Sequence, residues 1–336
     1  MKRFLSCFAV AALVTVALVP LHAAAAKPKV MKIAHMTNEA YHMHRAMVEF
    51  QNELNATGKF RVEIYPSAQF GPDTEAIETT KSGDLDMTVS PSSYFTDEAP
   101  SMALIELPYV FASRMEAIKT LDGPWGQEQL RRLEPSGIYG LGYVENGHRH
   151  VTNSKRPIRL PGDMKGLKMR TMPVPAHVFY WNSLGCSAEG SPFSELYTNL
   201  ATKVFDGQEN GIAHTYTSKL NEAQRYMTLT GHVYTTYILA MNLDYWNDLT
   251  PEEQEMVKKA HANAYAYQLK LIEKEDAANL EEMKANKNHP FEVTELTPEE
   301  HKAFMESARS THEKYRKELG EAEFDAFTKA IREANP

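Results

Sequence analysis

Apolar and polar positions follow one another along the first hundred residues in an order that names its own elements. Val30–His35 (VMKIAH) reads as a strand. From Asn38 to Asn55 the apolar residues Met43, Met47, Phe50 and Leu54 return at steps of four, three and four, which gives a helix one apolar face. Phe60, Val62 and Ile64 then alternate with Lys59, Arg61 and Glu63, the period of a half-buried strand. After a PSAQFGPD turn a helix is predicted over Asp73–Ser82, with Asp73 or Thr74 as cap and Gly83 as stop, and Leu85, Met87 and Val89 make a further strand. Strands alternating with helices in this way imply parallel pairing with helices on the faces, an α/β fold. Ligands of such sheets bind beyond the carboxyl ends of the strands, which gathers His35–Asn38, the Gln69–Glu75 turn and Ser90–Tyr94 about one cleft.

Downstream, an apolar run over Ala103–Tyr109 precedes short helices near Ser113–Asp122 and Pro124–Glu134 and a strand over Ile138–Val144, after which GHRHVTNS opens a second lobe. Leu167 and Met169 mark a short strand that Arg170 closes, with Pro173 and Pro175 beyond it. The Arg170 guanidinium is therefore expected at a strand end facing a cleft. Tyr226–Leu229 and His232–Asn242 read as strands that cross back into the first lobe. Thr250-Pro251-Glu252-Glu253 is a capping box with proline in the first helical position, and Thr297-Pro298-Glu299-Glu300 repeats it. About 36 residues without Pro or Gly follow the first box, with Val257, Ala260, Ala264, Tyr267 and Leu271 at helical spacing; at ~1.5 Å per residue that helix is about 54 Å long, enough to brace both lobes. A late strand over Phe291–Leu296 and two C-terminal helices complete the order.

The length of 336 residues exceeds what one hydrophobic core usually serves, so two lobes are expected. Residues 1–26 stand apart: Lys2 and Arg3 precede an apolar run from Phe4 to Val19, and the stretch ends in Ala24-Ala25-Ala26. This is the pattern of a cleavable signal peptide and predicts export from the cytoplasm. The run is too short for the ~20 residues of a spanning helix. Without that leader, which holds two basic residues and no acidic one, 34 Lys and Arg face 44 Asp and Glu, a net charge of −10. An acidic surface argues against nucleic acid or an anionic membrane as partner. Cys186 is the one cysteine after the leader, which excludes an internal disulfide and a thiolate zinc site; it is read as a buried small hydrophobe. His148 and His150 flank Arg149 and would share the strand face opposite it, but no third ligand of matching pattern lies nearby, and His42 and His44 on a helix point apart.

Arg170 carries the chemistry. Most arginines are surface residues in ion pairs. A guanidinium at a strand end, however, offers paired N–H donors that match a carboxylate and keeps its charge out of water. Enzyme signatures are missing: there is no G-x-S-x-G, no G-x-x-x-x-G-K-[ST], no H-E-x-x-H and no G-x-G-x-x-G, and the glycines of GIYGLGYVENG have the wrong spacing. Ser92, Ser93 and Tyr94 offer hydroxyls and an aromatic wall, and Phe179, Tyr180, Trp181, Phe193, Tyr216 and Tyr237 lie near the motifs where they would narrow a pocket.

RPIRLPGDMKGLKMRT, SPFSELYTNLAT, FDGQENG and LTGHVYTTYILAMNLDYWNDL stand in an order and near spacings by which the chain resembles the solute-binding proteins of tripartite ATP-independent periplasmic (TRAP) transporters, over nearly its whole length beyond the leader. The resemblance implies a bilobal periplasmic binding protein: two α/β lobes joined by crossing strands and a long helix, closing on a small organic acid in the cleft between them. Residues 27–146 with about 236–275 would form lobe I, and 147–235 with about 276–336 lobe II. Arg170 would pair with the ligand carboxylate, Arg149 would match a second family arginine, and Asn210 the asparagine near the anion. Phe193 would pack on the ligand, and Glu75 matches a residue that sometimes joins the site, although in the first turn of a helix a carboxylate also serves the helix dipole. Lys203 stands where the family often has glycine and Gly211 where proline is usual. The implied partners are a small and a large membrane permease subunit driven by an ion gradient, with a monomeric binding subunit, no cofactor and no metal. The ligand class stays open between C4-dicarboxylates, sugar acids, other keto and hydroxy acids, and small sulfonates such as isethionate. A periplasmic sensor subunit for a membrane kinase or chemoreceptor, and an exported bilobal enzyme, are the other readings.

Overall fold

The computed structural model describes residues 27–334; the expected leader, 1–26, lies outside the described residues. Strand β1 (Lys29–His35) pairs in parallel with β2 (Phe60–Tyr65) and β3 (Met87–Pro91), with helices α1 (His42–Ala56) and α2 (Asp73–Ser82) between them. Met43, Met47, Phe50 and Leu54 are fully buried, as their spacing requires. Helix α1 begins at His42 rather than Asn38 because the Asn38 side chain accepts the Ala40 N–H at 3.0 Å, a local turn that competes with helix. Gly83 ends α2 at φ 84°, a left-handed cap that glycine takes without strain.

Helices α3 (Arg114–Asp122) and α4 (Pro124–Arg131) lead to β4 (Ile138–Asn153). The strand expected to stop at Val144 instead continues as one 16-residue strand into the second lobe. There follow β5 (Lys168–Thr171), α5 (Pro175–Ser183), β6 (Ser187–Gly190), α6 (Leu196–Ala201), β7 (Gly207–Asn210), α7 (Ile212–Thr217) and α8 (Leu220–Ala223). Strand β8 (Tyr226–Asn242) joins the two expected runs into 17 continuous residues. The strand order is β2-β1-β3-β8-β4-β7-β5-β6. The antiparallel β4 and β8 sit at its centre and run from lobe to lobe, with irregularities in register at Gly140/Gly142, Glu145/Gly147 and Arg149/Val151.

After α9 (Leu243–Asn247), the Thr250 capping box starts α10 (Pro251–Ala285), a 35-residue helix. Its inner face runs through Val257, Ala260, Ala264, Gln268 and Ile272, not through Tyr267 and Leu271. The expected face drifted because Gln268 is polar. Its amide is fully used: Oε1 accepts the Glu145 N–H at 2.9 Å and Nε2 donates to the Glu145 carbonyl at 2.8 Å, fastening α10 to β4 beside a bulge. Strand β9 (Glu292–Thr294) pairs with β8, and three helices follow rather than two: α11 (Pro298–Ser307), α12 (Arg309–Leu319) and α13 (Glu321–Ala334). Gly320 at φ 88° makes the turn that separates the last two, and Phe327 of α13 returns to pack on Trp125 and Phe111. Cys186 is half-buried beside the cluster that holds Met164, Trp181 and Phe304, where burial pushes its thiol up to about 12.

Candidate functional site

Two buried arginines approach one small cavity from strands β4 and β5, which flank β7. Arg170, at the end of β5, is 1% exposed; its Nε donates to the Ser191 carbonyl at 2.9 Å and its Nη2 donates to the same oxygen. Arg149 leaves β4 on the face opposite His148 and His150, which line a different cavity. Glu209 of β7 holds it in a fork, with Nε at 2.5 Å from Oε2 and Nη2 at 3.0 Å from Oε1. In both arginines the remaining nitrogen, Nη1, is buried without a hydrogen-bond partner. Such a group costs roughly 1–3 kcal/mol, more when charged, unless something completes it.

Local sequence explains this placement. Strand β7 lies between β4 and β5 only because residue 207 is glycine: a Cβ there would stand 2.4 Å from the Thr152 carbonyl and 2.8 Å from the Met169 sulfur. Lys203, in the turn before it, has φ 62°, the conformation that glycine favours, and Gly211 after it has φ −66°, the angle of proline. The two departures from the family pattern therefore leave the turn conformation intact.

The cavity, about 30 Å³, is lined by Arg149, Arg170, Asn210, Phe193 and Tyr94, together with Asp73, His214 and residues from the ends of β1 and β3. Glu75 does not reach it. Its side chain is exposed and folds over Gly71, and Asp73, two residues earlier in α2, faces the cavity instead. Tyr216 is also outside, with its hydroxyl donating to Glu282 of α10. Asp73, Glu209 and His214 were missed. Glu209 and His214 stand one residue before Asn210 and four after it, and Asp73 was read only as a cap.

Burial brings the Arg170 guanidinium down to about 10, opposed by Glu209 and reinforced by Arg149, so it stays charged at neutral pH. Burial pushes the Glu209 carboxyl up, but Arg149 and the His232 contact outweigh it and hold the group well below the usual carboxylate range. Burial lifts Asp73 to about 7 against the pull of Ser90 and Arg170. Two cations thus face one firm carboxylate and one that is partly protonated near neutral pH. The excess is positive, which suits an anion.

A larger cavity, about 650 Å³, is lined by Arg114, Glu145, His148, His150, Glu273 and Asp276 among others. Its one arginine is already spent on Glu145, with Nε at 2.8 and 2.7 Å from the two carboxylate oxygens. Extra acids beside it make that cavity a poor site for an anion.

A two-lobed α/β fold with an arginine-lined cavity is suited to holding a small anion. Residues 33–318 match the family described as bacterial extracellular solute-binding protein, family 7, and the chain belongs to that family, whose members serve TRAP transporters. It is 32% identical over 256 residues to the 2,3-diketo-L-gulonate-binding periplasmic protein of Escherichia coli, covering 76% of this chain and 78% of that protein. It is 30% identical to the C4-dicarboxylate-binding periplasmic protein of Rhodobacter capsulatus, covering 91% and 92%. Among solved structures, the sugar acid binding protein of Advenella mimigardefordensis in complex with galactonate superposes with a TM-score of 0.87 at 29% identity, covering 92% of this chain and 99% of that one.

Proposed function

We propose that this chain is the periplasmic subunit of a TRAP transporter that captures a small organic acid anion, a carboxylate or a small sulfonate, and delivers it as a monomer to a small and a large membrane permease subunit. The observation that carries the reading is the pair of buried, unpartnered Nη1 groups on Arg149 and Arg170 beside one cavity. A carboxylate would complete both, with Asn210 sharing its oxygens. Support for an organic acid also comes from the relatives, which are named for a diketo sugar acid and for C4-dicarboxylates. Closing would occur about β4 and β8, with lobe I (27–146 and about 236–275) and lobe II (147–235 and about 276–320) approaching each other; the last helix, α13, expected in lobe II, packs on α3 and α4 and would instead ride with lobe I. Only the closed state presents groups from both lobes, so the ligand favours it.

A thermal-shift screen of the chain from Lys27 onward tests this. Ligand at a hundredfold excess over its dissociation constant stabilises by about 2.7 kcal/mol. Carboxylates, sugar acids and sulfonates should supply the hits. Shifts by neutral solutes alone would overturn the reading.

A further inference from the structure

We infer that His214 reads a hydroxyl group on the bound acid, and that together with Asp73 it selects hydroxylated monocarboxylates over dicarboxylates and unsubstituted acids. This rests on the anion site proposed above and adds the ligand's second chemical feature.

His214 lies on α7, 3% exposed, and lines the same cavity as the two arginines. Its ring is fixed on three sides. Tyr41 stacks on it with centroids 3.9 Å apart and an interplanar angle of 20°, Phe193 lies at 4.9 Å, and Nε2 is 2.8 Å from the Tyr237 hydroxyl. Nδ1 is buried and has no partner. Burial, then Arg149, His42 and Arg170, hold the imidazole well below its ordinary value, so it is neutral.

A neutral imidazole has one donor and one acceptor nitrogen. If the Tyr237 hydroxyl donates to Nε2, Nδ1 carries the proton and donates into the cavity; if Nε2 donates to Tyr237, Nδ1 accepts. A ligand hydroxyl satisfies either arrangement because it both donates and accepts. A carboxylate oxygen satisfies only the first, and a methylene satisfies neither.

Asp73 makes the same demand from the first lobe. Its side chain is buried and its Oδ1 has no partner. Ionised, it accepts a hydrogen bond from a hydroxyl; protonated, it can donate or accept. A second ligand carboxylate would meet ionised Asp73 as a like charge, while Arg149, which lines the same cavity, is already paired with Glu209 behind it. The unpartnered atoms therefore describe a ligand with one carboxylate, for Nη1 of Arg149 and Arg170, and at least one hydroxyl, for Nδ1 of His214 and Oδ1 of Asp73. A site built to bond a hydroxyl discriminates strongly against the analogue lacking it, because its own buried groups are then left unpaired.

Calorimetric titration with glycerate, gluconate, propionate and succinate is the test. The better hydroxylated acid should bind at least about tenfold more tightly than propionate or succinate, the scale of one buried hydrogen bond. His214→Phe retains an aromatic ring between Tyr41 and Phe193 and should reduce that preference to about threefold or less. His214→Asn keeps a polar atom near the place of Nδ1 and should preserve it. Independently of both, Asp73→Asn removes the like charge and should improve succinate binding by about threefold or more. Succinate or propionate binding as tightly as the hydroxylated acids, or a full preference surviving in His214→Phe, overturns the role of His214. Unchanged succinate affinity in Asp73→Asn overturns the exclusion of dicarboxylates. If none of the four acids binds but other anions of the thermal-shift screen do, or if all four bind without preference, only the present inference fails; if no anion binds at all, the anion site itself is wrong.

Discussion

Replacing Arg170 with methionine separates binding from stability. Arg170 is a buried cation whose only hydrogen bonds among the described residues go to one carbonyl, that of Ser191, with Nη1 unpaired there. Removing one partner of a desolvated charge pair typically costs 2–5 kcal/mol of binding, or roughly 30- to 4,000-fold in affinity. The fold, by contrast, loses little. Exchanging a buried ion for an apolar side chain of similar length is often neutral or stabilising. Arg170→Met should therefore melt within a few degrees of the unmodified protein while calorimetry records that loss of affinity for whichever acid binds. Affinity within threefold of the original in a folded variant would refute the anion role. A steep drop in melting temperature would show that Arg170 serves the fold rather than the ligand.

Glu209→Gln should act in the opposite way. Arg149 would lose its only carboxylate, and Thr171, 2.9 Å from Oε1, a strong acceptor, so thermal unfolding should report a loss of about 3–5 kcal/mol. Because the Glu209 carboxyl is depressed in the fold, its contribution is complete above the unfolded value of about 4.3 and is lost as pH falls through the lower folded one; melts between pH 3 and 6 should show a smaller acid slope in the variant. Asp73 has the reverse sign: raised to about 7, it contributes stability below about pH 4 that disappears as pH rises through 7, so Asp73→Asn should flatten the fall in melting temperature over that window. Lys203→Gly relieves a left-handed residue at φ 62° and should stabilise by about 0.5–1 kcal/mol in denaturant unfolding, with ligand affinity unchanged.

The sequence carried most of the frame because the frame rests on periodicity and caps. The Met43–Leu54 face, the alternation in β2, the left-handed stop at Gly83 and the Thr250 capping box are all local signals, and each appears in place. Length of the crossing strands was less legible. Gly147 and Gly231 read as interruptions, yet they fall at or near bulges within continuous strands. Within the site, Arg149, Arg170, Asn210, Phe193 and Tyr94 meet at one cavity, as the strand ends and the resemblance suggested. Asp73 and Glu75 could not be told apart from sequence, since two residues on a helix separate by about 200° and the starting phase was unknown. His214 escaped notice because nothing in a short apolar-polar helix distinguishes a ring aimed at a ligand from one packed in a core.

A crystal structure of the chain with the acid that gives the largest thermal shift would test the central claim most directly. The account predicts carboxylate oxygens within hydrogen-bond distance of Nη1 of both Arg149 and Arg170, in the cavity that Asn210 and His214 also line. Ligand in the larger cavity beside Arg114, or a carboxylate that touches neither arginine, would contradict it.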